Sequence, residues 1–319
     1  MKLGIAITRA ASVDATWTTL HLARAALARG WSVRFVEPWD FEVDRLRQPV
    51  ARAYAFDPGD AGSVEELAEH LVNRTAHRRF VDVGALDMLL LRAAPLDEAV
   101  LTFARIAQER GVRVVNDPAG LVAASHKGWL ASLPGVPVPP GIVTRSRASA
   151  HLFYAEQETG VVVKPARGSG GRAVSRVVPR REDAMDSAFD EASMTGDGYV
   201  VVQRYLPEAD HGEKRLVVLD GDVIGGYLRR RAGGEFRHNL KRGALPEATD
   251  ISDSDRDVGA RIAPALRRAG IRIAGLDVIG GYLIEVNALN PGGAFHTDRL
   301  TGTNLADVIL DRLSVPEPA

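Results

Sequence analysis

Val161-Val162-Val163-Lys164-Pro165-Ala166-Arg167-Gly168-Ser169-Gly170-Gly171 is the stretch on which the reading of this chain turns. Its β-branched run predicts a strand that delivers Lys164 to its end. A loop with three glycines follows. Such a loop lets backbone N–H groups approach phosphate oxygens closely, because no Cβ stands in the way. Lys164 adds a point charge for phosphate. The loop does not close with Gly-Lys-Ser/Thr, so it is not a Walker A loop. Taken alone, a glycine-rich hairpin with a surface lysine accounts for it equally well.

A second stretch lies downstream, Leu276-Asp277-Val278-Ile279-Gly280-Gly281-Tyr282-Leu283-Ile284-Glu285-Val286-Asn287. Two apolar strands here carry Asp277, Glu285 and Asn287 around a Gly-Gly turn. Oxygen ligands, two of them carboxylates, suit a hard ion such as magnesium. Parity decides whether they converge. A strict two-residue loop pairs Asp277 with Ile284 and turns Glu285 to the opposite face. A three-residue loop, Gly280–Tyr282, pairs Asp277 with Glu285 and brings Asn287 to the same face. Convergence therefore predicts the longer loop. The plainer reading is a hairpin with acids on its solvent side.

Between these stretches lie Val201-Val202-Gln203-Arg204-Tyr205-Leu206-Pro207 and Gly212-Glu213-Lys214-Arg215, then a hairpin formed by 216–219 and 222–228. The segment Gln203, Arg204, Tyr205, Leu206 can present backbone groups to a nucleobase edge. Glu213 can accept from ribose hydroxyls. Arg215, Arg230 and Arg237 can meet phosphate. Each of these, alone, is more often a solvated surface residue.

Upstream, strand-like and helix-like patterns alternate. Strands are predicted at 3–7, 32–37, 87–91 and 112–116, with helices at 16–29 and 96–110; a helix at 64–75 has no evident place. This alternation implies a parallel sheet with helices on its faces. Four prolines within 134–140 mark a rigid crossing segment. A small α+β unit follows, with strands at 141–144, 161–164 and 173–178 and helices at 148–158 and 182–191. Helices at 253–269 and near 304–313 complete the chain. The expected domains are an α/β domain over 1–118, a lid over 119–196 and a C-terminal α+β domain over 197–319.

The 319 residues carry a net charge of −1 and no cysteine. The charge gives no field to steer nucleic acid. The absence of cysteine excludes disulfides, zinc–thiolate sites and thiol nucleophiles. The N-terminal apolar run is too short for a signal peptide, and no run of about 18 apolar residues spans a membrane. A cytoplasmic location is expected. A dinucleotide-dependent oxidoreductase would need Gly-x-Gly-x-x-Gly after the first strand; Thr8-Arg9-Ala10-Ala11-Ser12-Val13-Asp14 contains no glycine. A non-catalytic ATP-binding module is expected to lack Lys164, Asp277 or Glu285, and all are present.

Taken in order, these segments resemble the ATP-grasp superfamily, and within it the bacterial glutathione synthetase group. The resemblance runs along nearly the whole chain. It rests on V-V-N-D-P at 114–118, Lys127, V-V-K-P at 162–165, G-S-G-G at 168–171, Q-R-Y-L-P at 203–207, G-E-K-R at 212–215, R-H-N-L at 237–240 and G-L-D-V-I-G with L-I-E-V-N within 275–287. It implies an ATP-grasp architecture, with an N-terminal Rossmann-like domain, a lid and a catalytic domain. It also implies an ATP-dependent carboxylate–amine ligase that works through an acyl phosphate. Lys127 and Lys164 would bind the ATP phosphates, with Gly168, Ser169, Gly170 and Gly171 closing over them. Gln203, Arg204, Tyr205 and Leu206 would frame adenine, and Glu213 would hold the ribose. Arg215 and Arg230 would neutralise the terminal phosphate, and Asp277, Glu285 and Asn287 would hold two Mg2+ ions, with Mn2+ as the alternative. Arg237 and Asn239 would lie near the acyl phosphate. A cytoplasmic homo-oligomer, dimer or tetramer, acting on small molecules and not on nucleic acid or membrane, is the corresponding expectation.

Two segments depart from the family. Leu91-Arg92-Ala93-Ala94-Pro95-Leu96 stands where the relatives carry a run like M-R-K-D-P-P, and Ala288-Leu289-Asn290-Pro291-Gly292-Gly293-Ala294 stands where they carry a T-S-P-T-like turn. Both belong to the acceptor pocket in that family. The expected substrate is therefore an amino acid or small peptide, with glutathione as only one possible product. Arg92, at the carboxyl end of a sheet strand, is placed to clamp a carboxylate. The turn through Asn290, Gly292 and Gly293 offers backbone N–H groups to the same substrate.

Overall fold

The structure is a computed structural model and describes residues 1–315, apart from Ala61, Ser169, Ala232, Gly234 and the side chain of Lys241. It divides into two compact units. One comprises Met1–Val122, Arg267–Ala274 and the chain from Ala288 onward; the other comprises Ala123–Leu266 and Gly275–Asn287.

In the first unit, strands Ser32–Val36, Lys2–Ala6, Met88–Leu91 and Arg113–Val115 lie side by side and parallel. Helices Thr18–Ala28 and Glu98–Glu109 form the connections expected for such a sheet. The sheet is nevertheless mixed, not parallel throughout. Pro49–Phe56 pairs antiparallel with Ser32–Val36 and is itself paired with Phe41–Val43 and Arg78–Asp82. The sequence conceals this extension because Ala51, Ala53, Ala55 and Arg52 have weak strand preference. Burial of the three alanines decides the matter instead. Helix Val64–Val72 finds its place in the connection between Pro49–Phe56 and Arg78–Asp82. It opens with a Ser63/Glu66 capping box and buries Leu67 and Leu71.

The Asn-Asp-Pro run has a full physical account. Asn116 is 3% exposed. Its Nδ2 donates to the carbonyls of Ile273 and Ala288, and its Oδ1 accepts from the amides of Arg272 and Ile273. Two donors and two lone pairs are thus all used. Asp117 caps helix Pro118–Ala124 through the amides of Ala119 and Gly120. Gly120 is needed by close approach: a Cβ there would stand 1.8 Å from the Ala269 carbonyl oxygen.

The second unit holds two sheets. The smaller is antiparallel, in the order Ser175–Val177, Val161–Pro165, Val200–Arg204, Gly141–Thr144. Helices Arg147–Ala155 and Glu182–Ser193 close one face over Tyr154, Val161, Val163, Met185, Phe189 and Val202. The two-residue period then turns Val162, Lys164 and Gln203 to the other face. The larger sheet runs Leu245–Glu247, Asp222–Arg230, Glu213–Leu219, Ile273–Ile279, Tyr282–Asn287. Helix Asp253–Arg268 approaches strand Asp222–Arg230 closely; a Cβ on Gly259 would lie 2.5 Å from Val223 Cγ2.

Candidate active site

The site grows from the hairpin Ile273–Ile279/Tyr282–Asn287. Asp277 pairs with Glu285 and Gly275 with Asn287. The expected convergence is present, but its cause differs from the expected three-residue loop. The turn is two residues long, with Ile279 opposite Tyr282 and positive φ at both Gly280 (55°) and Gly281 (79°). Positive φ at both positions gives the tight turn that suits strand twist. A bulge between Asp277 and Val278 then leaves Ile284 as an extra residue and restores the pairing of the two carboxylates. The bulged residue's carbonyl accepts from Lys164 Nζ at 3.3 Å.

Asp277 is 5% exposed and the focus of a charge cluster. Arg215 grips it with two bonds, Nε to Oδ1 at 2.6 Å and Nη2 to Oδ2 at 3.1 Å. Arg229 Nη2 lies 2.5 Å from Oδ1 and also pairs with Glu213. Asn287 Nδ2 donates to Oδ2 at 3.2 Å. Burial pushes the Asp277 carboxyl up, but Arg215 and Arg229 more than reverse this and hold it well below the usual carboxylate range. For Glu213, burial outweighs Arg229 and pushes the group up to about 7.

Arg229 was missed in the sequence, which pointed to Arg230. A bulge explains the difference. The ladder of Glu213–Leu219 and Asp222–Arg230 slips by one residue between Val217 and Val218, so Glu213 faces Arg229 and Arg215 faces Tyr227. An unbroken ladder from the same turn would bring Arg230 to the face of Glu213 and Arg215. With the bulge, Arg230 pairs with Glu247 at 2.8 Å, is about half exposed, and does not line the cleft.

Lys127 and Lys164 complete the cationic wall. Lys127 Nζ lies 3.2 Å from Glu285 Oε1 and donates to the Gly168 carbonyl at 3.1 Å. Lys164 is buried, and burial, reinforced by the like charge of Lys127, lowers its ammonium to about 8. An anion brought close to it would favour its charged form and raise it again. Gly168, Gly170 and Gly171 line the same cleft; Ser169 lies outside the described residues. Arg237 Nη1 and Arg242 Nη2 both donate to the Gly171 carbonyl, at 3.0 and 3.2 Å, while Arg237 is also paired with Glu235. Asn239 borders the cleft beside them. At its apolar end, Val162, Leu206, Ile279 and Ile284 make a slot flanked by Gln203, Arg204 and Tyr205.

The first unit contains the remaining candidates. Arg92 is 5% exposed, donates from Nε to Thr19 Oγ1 at 3.1 Å and from Nη2 to the Pro291 carbonyl at 3.0 Å. Its Nη1 is buried without a hydrogen-bond partner, as is Asn290 Oδ1. Burial, with no carboxylate to offset it, lowers Arg92 to about 9. Gly292 and Gly293 follow, and Gly293, at φ 134°, starts helix Ala294–Thr301.

Asp277, Glu285 and Asn287 fit a magnesium ion better than a softer metal. They offer two carboxylates and an amide on one face of one hairpin. Among the described residues no group of three His, Cys, Asp or Glu gathers that would hold a metal on protein ligands alone. Magnesium commonly takes one or two carboxylates and completes its shell with water and substrate phosphates.

Similarity to known proteins extends over nearly the whole chain. The family described as prokaryotic glutathione synthetase, N-terminal domain, matches residues 1–121, and prokaryotic glutathione synthetase, ATP-grasp domain, matches residues 129–302. The chain is 36% identical over 297 residues to a glutathione synthetase of Rhodopseudomonas palustris, covering 92% of this chain and 91% of that one. It is 33% identical over 320 residues to the Synechococcus elongatus enzyme of that name, covering 96% of each. Among solved structures, a D-cycloserine synthetase matches with a TM-score of 0.68 at 19% identity, over 98% of this chain and 99% of that one. A D-Ala:D-Ser ligase from Enterococcus faecalis matches with a TM-score of 0.66 at 16% identity, over 98% of each; at such identity these two show the ATP-grasp fold alone. No described helix is long and apolar enough to cross a membrane. The chain belongs to the prokaryotic glutathione synthetase family of ATP-grasp ligases, which use ATP to form a peptide bond.

Proposed function

We propose that the chain activates the carboxyl group of a small amino-acid or peptide substrate as an acyl phosphate and joins it to an amine, releasing ADP and phosphate. One observation carries this reading. Lys127, Lys164, Arg215 and Arg229 converge with Asp277, Glu285 and Asn287 on a single cleft of the second unit. Phosphoryl transfer to a carboxylate brings two anions together, so catalysis consists mainly of positioning and charge compensation. The cleft has that composition, and the reaction needs no nucleophilic side chain.

In this reading Lys127, Lys164 and the Gly168–Gly171 loop hold the phosphates, and residues 119–196 act as the lid that excludes water from the acyl phosphate. The slot of Val162, Leu206, Ile279 and Ile284, with Gln203, Arg204 and Tyr205, takes adenine, and Glu213 takes the ribose. Arg215 and Arg229, in place of Arg230, neutralise the terminal phosphate. Arg237 and Asn239 serve the transferred group. Asp277, Glu285 and Asn287 hold two magnesium ions, or manganese in their stead, which supply further charge compensation at the phosphates. A cytoplasmic homo-oligomer, dimer or tetramer, is proposed with it. The test is product analysis across pairs of acids and amines: ADP and phosphate are expected in equal amounts with the ligated product. AMP as the stoichiometric product would overturn the acyl phosphate.

Arg92, Asn290, Gly292 and Gly293 are proposed to bind the substrate. A buried guanidinium with an unpartnered Nη1 suits a carboxylate. Losing a hydrogen bond to a charged group costs about 1.5–3 kcal/mol. Arg92→Ala is therefore expected to raise the KM of the acid or the amine roughly 10–150-fold and to leave the KM of ATP unchanged. A weaker ATP KM with both other constants unaltered would refute this assignment.

A further inference from the structure

Asp197 lies in the turn between helix Glu182–Ser193 and strand Val200–Arg204. Its Oδ2 accepts from Arg167 Nε at 3.1 Å and lies 3.4 Å from His126 Nε2. Those two partners are the chain neighbours of the two features that matter most at the phosphate end of the cleft. Arg167 immediately precedes Gly168, and His126 immediately precedes Lys127.

His126 is held in one orientation. Its Nδ1 accepts from the Gly128 amide at 3.0 Å, capping helix Lys127–Ala131. An accepting Nδ1 leaves the ring proton on Nε2, where it faces Asp197. Glycine at 128 is required for this: a Cβ there would come 2.8 Å from that Nδ1. The turn carrying Asp197 is fitted as closely. Gly196, at φ 69°, would place a Cβ 3.1 Å from Arg167 Cβ and 3.2 Å from its carbonyl oxygen. Three further bonds stitch the same two segments together. Arg167 Nη1 donates to Ser125 Oγ at 2.9 Å, the Lys127 amide to the Ala166 carbonyl at 2.9 Å, and Lys127 Nζ to the Gly168 carbonyl.

We propose that Asp197 is a positioning residue that sets Lys127 against the stem of the glycine-rich loop by holding His126 with one contact and Arg167 with the other. These contacts are partly solvated, with side-chain exposures of 23–39%, so their contribution to global stability is small. Their effect is geometric: one carboxylate fixes the register between a phosphate-binding lysine and a phosphate-binding loop. A misplacement of about 1 Å in such a constellation can cost on the order of 10²-fold. The inference rests on the phosphate reading of Lys127 and the loop only for its effect on ATP.

Two measurements on Asp197→Ala separate these parts. Amide hydrogen exchange without nucleotide is expected to quicken at least about tenfold at Lys127 and Gly128, while Val202, in the neighbouring strand, keeps its protection. Unchanged exchange at Lys127 and Gly128, or an equal loss at Val202, would overturn the positioning role. Steady-state kinetics are then expected to show kcat/KM for ATP lowered roughly 10–100-fold, with the KM of the acid within about twofold. Faster exchange without that kinetic loss would leave the positioning role standing and would remove Lys127 from phosphate binding. Asp197→Asn can keep the Arg167 and His126 contacts only by turning its amide nitrogen toward the Tyr199 amide, from which Asp197 Oδ1 accepts at 3.2 Å, and is expected to recover only part of the loss. Arg167→Ala, a surface change, is expected to reproduce the exchange effect should Asp197→Ala not fold; unaltered exchange in it overturns the proposal.

Discussion

Replacing Asp277 by alanine is expected to destabilise the protein by about 3–5 kcal/mol, the cost of breaking a buried ion pair from one side. The carboxylate is 6% exposed at its side chain and is shared by Arg215 and Arg229, themselves 12% and 7% exposed. Its loss leaves two guanidinium groups facing each other across a space that water enters poorly. Chemical denaturation should show the loss as a lowered midpoint without a change in slope. Adding Arg229→Met to Asp277→Ala should not recover the loss, because Arg229 also pairs with the buried Glu213, which would then lose its own counter-charge. A midpoint for Asp277→Ala within about 0.5 kcal/mol of the parent would show that the cluster is solvated in solution and would undo this account of the site.

Glu285→Gln is expected to act on the reaction and hardly on the fold. Its carboxylate is 29% exposed at the side chain and pairs with Lys127 at 3.2 Å, an arrangement contributing about 0–1 kcal/mol to stability. Under the proposed mechanism it is also half of the carboxylate pair that holds the metal beside the terminal phosphate. Removing one preorganised electrostatic group of this kind costs about 10²–10³-fold in kcat. Turnover at saturating ATP and magnesium should therefore fall by that factor while the thermal midpoint stays put. Parent-like turnover would exclude Glu285 from the metal site. Under the proposed mechanism the two substitutions separate carboxylates that face each other across one hairpin, the first serving both structure and chemistry and the second only chemistry.

Much of this protein was legible from its chain, and the gaps have physical causes. Strand Gly141–Thr144 and the stretch from Val161 were readable because β-branched runs flanked by glycine and proline mark strands at short range. Strand Pro49–Phe56 was not, because its alanines reveal a strand only once the neighbouring sheet buries them. The side chains at 277, 285 and 287 and the lysine at 164 depended on residue identity alone, so the sequence by itself determined which functional groups are available. Where those groups point depended on two β-bulges, one beside Asp277 and one beside Val217. A single extra residue inverts every side chain beyond it, and its position is chosen by packing across the sheet and not by local preference. For that reason only the tertiary structure decided that Glu285 meets Asp277 across a two-residue turn, and that Arg229, not Arg230, enters the cleft.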